Sequence, residues 1–167
     1  MRRADPDWYA LLVGDFVLGS GPGMTDRLSR KLRDEMGLAY TVWARVARGA
    51  DLDPGTFAAY IGTAPASRRQ AIDAMRAEIE RFVAGPVLEE EVEDARRYLV
   101  GGYVFGFETA DQVAEQIVQM ERLSLGFDHP AEFVRRVEAV TVAEVEAAAR
   151  RHIHPDRLVT VTVGRGE

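Results

Sequence analysis

Apolar residues recur at helical spacing over most of this chain and switch to alternation in only a few short stretches. Asp5-Pro6-Asp7 opens the first helical pattern, with Asp5 placed as cap and Pro6 at the first helical position, and Trp8, Leu11, Leu12 and Phe16 follow. The pattern breaks at Gly19-Ser-Gly-Pro-Gly23. Thr25 is placed to cap a second helix through Leu28, Leu32 and Met36, with Arg33 in its last turn and Gly37 where a left-handed cap is wanted. Leu38 to Val46 then alternates and is rich in β-branched and aromatic residues, as is Thr56 to Ile61 beyond a polar loop, which predicts an antiparallel hairpin.

Helical spacing returns at Ser67, with Ile72, Met75, Ile79, Phe82 and Val83 on one face and Gly85-Pro86 as the stop. A helix from Leu88 to about Phe105 starts with Glu89, Glu90, Glu91, Glu93 and Asp94, which the positive end of its dipole favours. Thr109 caps a helix through Val113, Ile117 and Met120 to Leu123, His129-Pro130 opens a short helix to Val140, and Thr141-Val-Ala-Glu144 is a capping box for another through Arg151. Leu158 to Val163 alternates and reads as a closing strand. The expected architecture is α+β, a small, mostly antiparallel sheet covered on one face by several helices. A sheet of roughly three strands is small for so many helices. This implies a strand ahead of Asp5 that the chain lacks, and an exposed or vicariously paired sheet edge near the N-terminus prone to self-association.

With 167 residues the chain is read as one domain, 1–167, able to bury a single core. The net charge of -6 disfavours nucleic acid, whose binding depends on neutralising phosphates. Cysteine is absent, which removes disulfides, thiolate zinc sites and a cysteine nucleophile. Met-Arg-Arg-Ala-Asp-Pro lacks the apolar run of a signal peptide and no stretch reaches the roughly 18 apolar residues of a membrane span, so the expected location is the cytoplasm. Gly19 to Gly23 follows a helix and has no P-loop lysine, which argues against a phosphate cradle. His152-x-His154 lacks a carboxylate or thiolate at useful spacing and reads as a helix-end and a loop histidine. No serine stands in a nucleophile motif.

Asp5-Pro-Asp-Trp-Tyr9, the glycine-rich break, Met24-Thr-Asp-Arg-Leu28 and above all Leu32-Arg-Asp-Glu-Met-Gly-Leu-Ala-Tyr40 closely resemble the C-terminal domain of the pitrilysin or insulinase family of zinc metallopeptidases, to which the mitochondrial processing peptidase subunits are similar. The resemblance extends through the acidic helix start at Gly85 to Ala95. It implies a clamshell of two similar halves, of which the first carries the inverted zinc motif His-x-x-Glu-His. The three histidines of this chain, His129, His152 and His154, form no such motif, so the resemblance assigns it to the non-zinc half, inactive alone, with zinc in the partner half and a peptide as substrate. It also implies that Arg33 and Tyr40 are the site residues, neither of them a metal ligand. Tyr40 would donate to the oxyanion formed when the peptide carbonyl is attacked, and Arg33 would clamp substrate carbonyls. The alternative is a non-catalytic structural or protein-interaction subunit of the same fold.

Both residues also have plainer readings. Arg33 suits a last-turn cation that relieves the helix dipole and pairs with Glu35 or Asp34. Strict alternation places Tyr40 with Leu38, Val42, Ala44 and Val46 on an apolar face; only an irregular pleat after Gly37, or a sheet face lining a chamber, would present its phenol.

Overall fold

The computed structural model describes residues 1–164, apart from the side chains of Met24 and Arg48. Its centre is α1 (Trp8–Asp15), in which every residue is buried. A helix that is apolar all round has no face for water and belongs inside. It is enclosed by α3 (Glu89–Tyr103), α5 (His129–Ala139) and α6 (Val142–His152). The helix begins later than its sequence signal suggests. The Asp5 carboxylate accepts the Asp7 N–H at 2.9 Å, a turn that leaves Asp7 in the cap position.

A wide helical turn, Phe16–Ser20, continues from α1 and covers the outer edge of β1 (Thr41–Arg45). Here the backbones touch: a Cβ on Gly19 would lie 2.5 Å from the Ala44 amide nitrogen. The Ser20 hydroxyl donates to the Ala44 carbonyl at 2.8 Å. The buried Asp15 carboxylate accepts the Val46 and Ala47 amides at 2.7 and 2.9 Å, and the Trp8 indole donates to the Ala47 carbonyl at 3.1 Å. These bonds satisfy polar groups that would each be costly to bury alone.

β1 pairs antiparallel with β2 (Ala58–Gly62) in the register Thr41↔Gly62, Trp43↔Tyr60, Arg45↔Ala58. Ala44 and Val46 point into the core, with Val42, Ala59 and Ile61 packed beside them. The helices lie on that side only, so the α+β architecture with a small antiparallel sheet holds. Each strand is shorter than its pattern, because the ladder starts only at Thr41.

Leu158 to Val163 departs from expectation. It forms no ladder, and Val159, Val161 and Val163 are 88%, 80% and 98% exposed. Arg76 holds its start, donating to the Leu158 carbonyl at 3.1 Å and to the Thr160 hydroxyl at 2.8 Å. Alternating β-branched residues favour an extended backbone, but a strand also needs a neighbour, and the outer edge of β1 is already covered.

The helix caps follow local chemistry. α2 (Arg68–Ala84) buries Ala71, Met75, Ile79 and Phe82 and stops at Gly85, while Ile72 and Val83 lie only partly covered at its flanks. Burial of side chains such as Phe82 and Ile79 stabilises by about 1.5–3 kcal/mol each. Thr109 caps α4 (Ala110–Arg122) reciprocally with Gln112, and Thr141 caps α6 with Glu144. Thr25 is no cap; its hydroxyl donates to the Pro22 carbonyl. Asp26 takes that role, accepting the Ser29 amide at 2.8 Å and the Ser29 hydroxyl at 2.9 Å.

Candidate functional site

Arg33 and Tyr40 sit on either side of one turn. The helix that carries Arg33 (Ser29–Glu35) is widened, its next amide, Met36, reaching the Lys31 carbonyl at 3.2 Å. Such wide turns are frequent at functional positions. Leu28 and Leu32, both fully buried, fix its inner face. Arg27 ties it to α3 with two bonds to Glu91, Nε to Oε1 at 2.8 Å and Nη2 to Oε2 at 2.6 Å. Burial pushes the Glu91 carboxyl up, but Arg27 and the Leu88 amide outweigh it and hold the carboxyl below its usual range. For Asp26 burial dominates over the bonds from Ser29 and pushes the carboxyl up.

The helix ends at Gly37 in the left-handed region, φ 62°, where a side chain would be strained. The Gly37 amide bonds the Arg33 carbonyl at 3.1 Å and the Leu38 amide bonds the Leu32 carbonyl at 2.8 Å. Leu38 and Ala39 are both buried, so alternation is lost before the strand begins. The Tyr40 amide then donates to the Gly62 carbonyl at 3.2 Å, although Gly62 is the register partner of Thr41. Two consecutive residues therefore oppose one, the count of a β-bulge, which re-aims a side chain. Tyr40 is 87% exposed, so the core position that strict alternation assigns to it is not the one it occupies.

Arg33 is not engaged by either expected acid. Lys31 takes Glu35, at 2.7 Å, and no ion pair links Arg33 to Asp34. Nη1 of Arg33 is buried without a hydrogen-bond partner among the described residues. No hydrogen bond joins the Arg33 and Tyr40 side chains. Thr63, one residue past β2, has the other such orphan, its hydroxyl oxygen, and no pattern in the sequence marks it. The clefts of about 380 Å³ along α3 and 360 Å³ beside the start of α1 include neither Arg33 nor Tyr40.

The histidines are dispersed. His129 is buried, and Arg3 contacts its Nε2 at 3.4 Å. Burial and the Arg3 charge lower its pKa from the ordinary value. His154 is exposed beside a short turn. His152 lies at the end of α6 and meets Asp7 and Asp5, whose ligand atoms fall within 4.8 Å of one another. Sequence spacing did not reveal this group, since His152 stands 145 positions from Asp7. It does not suit a zinc ion: one oxygen of Asp7 is already bonded to His152 Nε2 at 2.8 Å and ion-paired with Arg151. The arrangement joins the start of α1 to the end of α6. Among the described residues no helix is long and apolar enough to cross a membrane.

Comparison with known proteins places this architecture. The family model described as the peptidase M16 inactive domain matches residues 2–99. A Streptomyces coelicolor protein named as an uncharacterized zinc protease is 28% identical over 151 residues, which is 90% of this chain and 32% of that protein. The non-peptidase homolog YmxG of Helicobacter pylori is 23% identical over 139 residues, 82% of this chain and 31% of its own length. The crystal structure of a peptidase M16 inactive domain from Pseudomonas fluorescens superposes with a TM-score of 0.81 at 24% identity, covering 94% of this chain and 37% of that one. The chain spans about a third of the length of these curated relatives. With more than half of its residues matched by the family model, the chain belongs to the peptidase M16 inactive-domain family.

Proposed function

We propose that this chain is the non-zinc half of a pitrilysin-like zinc metallopeptidase, a single domain that works in the cytoplasm on peptides. The metal and the attacking oxygen would belong to a second half bearing His-x-x-Glu-His. The contribution of this chain is to hold the substrate: Arg33 receives backbone carbonyls and Tyr40 donates its phenol to the oxygen that gains charge.

One observation carries this reading. A buried guanidinium nitrogen with no partner is unfavourable by about 1–3 kcal/mol, and an exposed phenol stands across one turn from it. A peptide carbonyl laid over that turn would complete the first and meet the second. Family membership and the zinc-protease name of a relative support the assignment.

The test is to combine the chain with the zinc-bearing half and compare Arg33→Ala with the unaltered protein. The substrate-clamp role predicts a KM raised about tenfold or more, with the unfolding midpoint of the chain unchanged or higher, since the variant removes a buried nitrogen that has no hydrogen-bond partner. A lower midpoint with unchanged KM would assign Arg33 to the fold instead. A second reading, a non-catalytic binding subunit, is favoured by the YmxG relative. It predicts that the assembled pair binds peptides and leaves them intact.

A further inference from the structure

The open face of the hairpin carries a group of side chains that the roles given to Arg33 and Tyr40 do not use. Trp43 and Tyr60 are register partners, and their rings stack 5.8 Å apart with 18° between planes. The Arg45 guanidinium carbon lies 4.5 Å over the Trp43 ring. Thr41, Trp43 and Arg45 alternate with the buried Ala44 and Val46, so the ladder stands on the face turned away from the core, and Tyr60 is 48% exposed. The bulge at Tyr40 removes that residue from the inward phase, which leaves phenol and ladder on the solvent side of one short strand.

Arg45 makes no hydrogen bond or ion pair among the described residues. Arg27, Arg96, Arg122 and Arg136, by contrast, each hold a carboxylate. A cross-strand aromatic pair stabilises a hairpin without a cation. The arginine adds a charge steadied by the indole face, with its N–H donors unspent. An aromatic floor with a free guanidinium suits a side chain that has an apolar stem and a carboxylate tip.

We propose that Trp43, Tyr60 and Arg45 form a side-chain subsite for an acidic residue of a bound peptide. The stem packs on the two rings and the carboxylate meets Arg45. This rests on the reading that the Arg33 and Tyr40 surface binds a peptide backbone. Because the chain as a whole is negatively charged, the preference arises from these neighbours and not from the overall field.

Two end-blocked peptides of equal length, one with a central glutamate and the other with glutamine there, are titrated into the isolated chain at low ionic strength while tryptophan fluorescence is followed. The chain has two tryptophans; Trp8 is 8% exposed with its indole bonded to Ala47, so the signal reports Trp43. The glutamate peptide binds about two- to fivefold more tightly, the scale of one exposed ion pair, and Arg45→Gln makes the two peptides equal while leaving thermal unfolding unchanged. Equal affinity in the unaltered chain, a preference that survives Arg45→Gln, or no binding of either peptide overturns the subsite. Turnover does not enter this readout. A failed subsite with turnover still dependent on Tyr40 leaves the role of Tyr40 standing, and the converse result leaves the subsite standing.

Discussion

Tyr40 and Gly62 share a hydrogen bond that the strand register does not call for. The Tyr40 amide reaches the Gly62 carbonyl at 3.2 Å while Thr41 is the residue paired with Gly62. That single bond decides whether the phenol is a core residue or a surface donor. With it, the inward phase of the strand starts at Val42 and the tyrosine is free to face a ligand.

The contact between Gly19 and Ala44 predicts a stability effect. Gly19→Ala would bring a methyl carbon to 2.5 Å from the Ala44 amide nitrogen and 2.8 Å from Leu28 Cδ1. Backbone cannot yield cheaply, so the expected loss is about 1–3 kcal/mol, measured as a lowered urea midpoint. An unchanged midpoint would mean that the helical extension does not press against β1.

Acid sensitivity follows from two groups. The folded-state pKa of His129 is depressed by burial and by Arg3, so its contribution is present above its unfolded value of about 6.5 and is lost as pH falls through the lower folded value. The Glu91 carboxyl is also depressed, so its contribution is present above about 4.5 and is lost below that as it protonates. Chemical denaturation at a series of pH values should show stability falling first below 6.5 and again below 4.5. His129→Gln removes the first fall. Glu91→Gln flattens the second and lowers stability at pH 7 by about 1.5–3 kcal/mol, the scale of a charge-assisted bond.

The uncovered Leu158 to Val163 segment predicts self-association. It is uncharged and β-branched, and three of its valines are at least 80% exposed. Such an edge pairs with another unless a charge interrupts it. Sedimentation velocity should show concentration-dependent dimers or larger species, reduced by Val161→Lys. A strict monomer at all concentrations contradicts this prediction.

Features held by neighbours in sequence were legible in advance. The cap at Thr109, the capping box at Thr141, the acidic start of α3 and the stop at Gly37 are local hydrogen-bond and dihedral chemistry, and the structure has each of them. What could not be read was set by distant partners. Asp26 replaces Thr25 because the Thr25 hydroxyl turns back to Pro22. Tyr40 leaves the core through a bond to Gly62, the last alternating segment lacks a neighbour, and Asp5, Asp7 and His152 meet across nearly the whole chain. The octapeptide from Arg33 to Tyr40 singled out the candidate pair. Its spacing could not tell that Glu35 is taken by Lys31, which leaves Arg33 without the partner the local sequence offers.

Turnover of a peptide by the pair of halves, with Tyr40→Phe in this chain, tests the central claim most directly. The substitution removes one hydroxyl from a side chain that is 87% exposed, so folding should not change. If the phenol donates to the developing oxyanion, kcat falls roughly 10–1000-fold with KM little altered. An unchanged kcat contradicts the account.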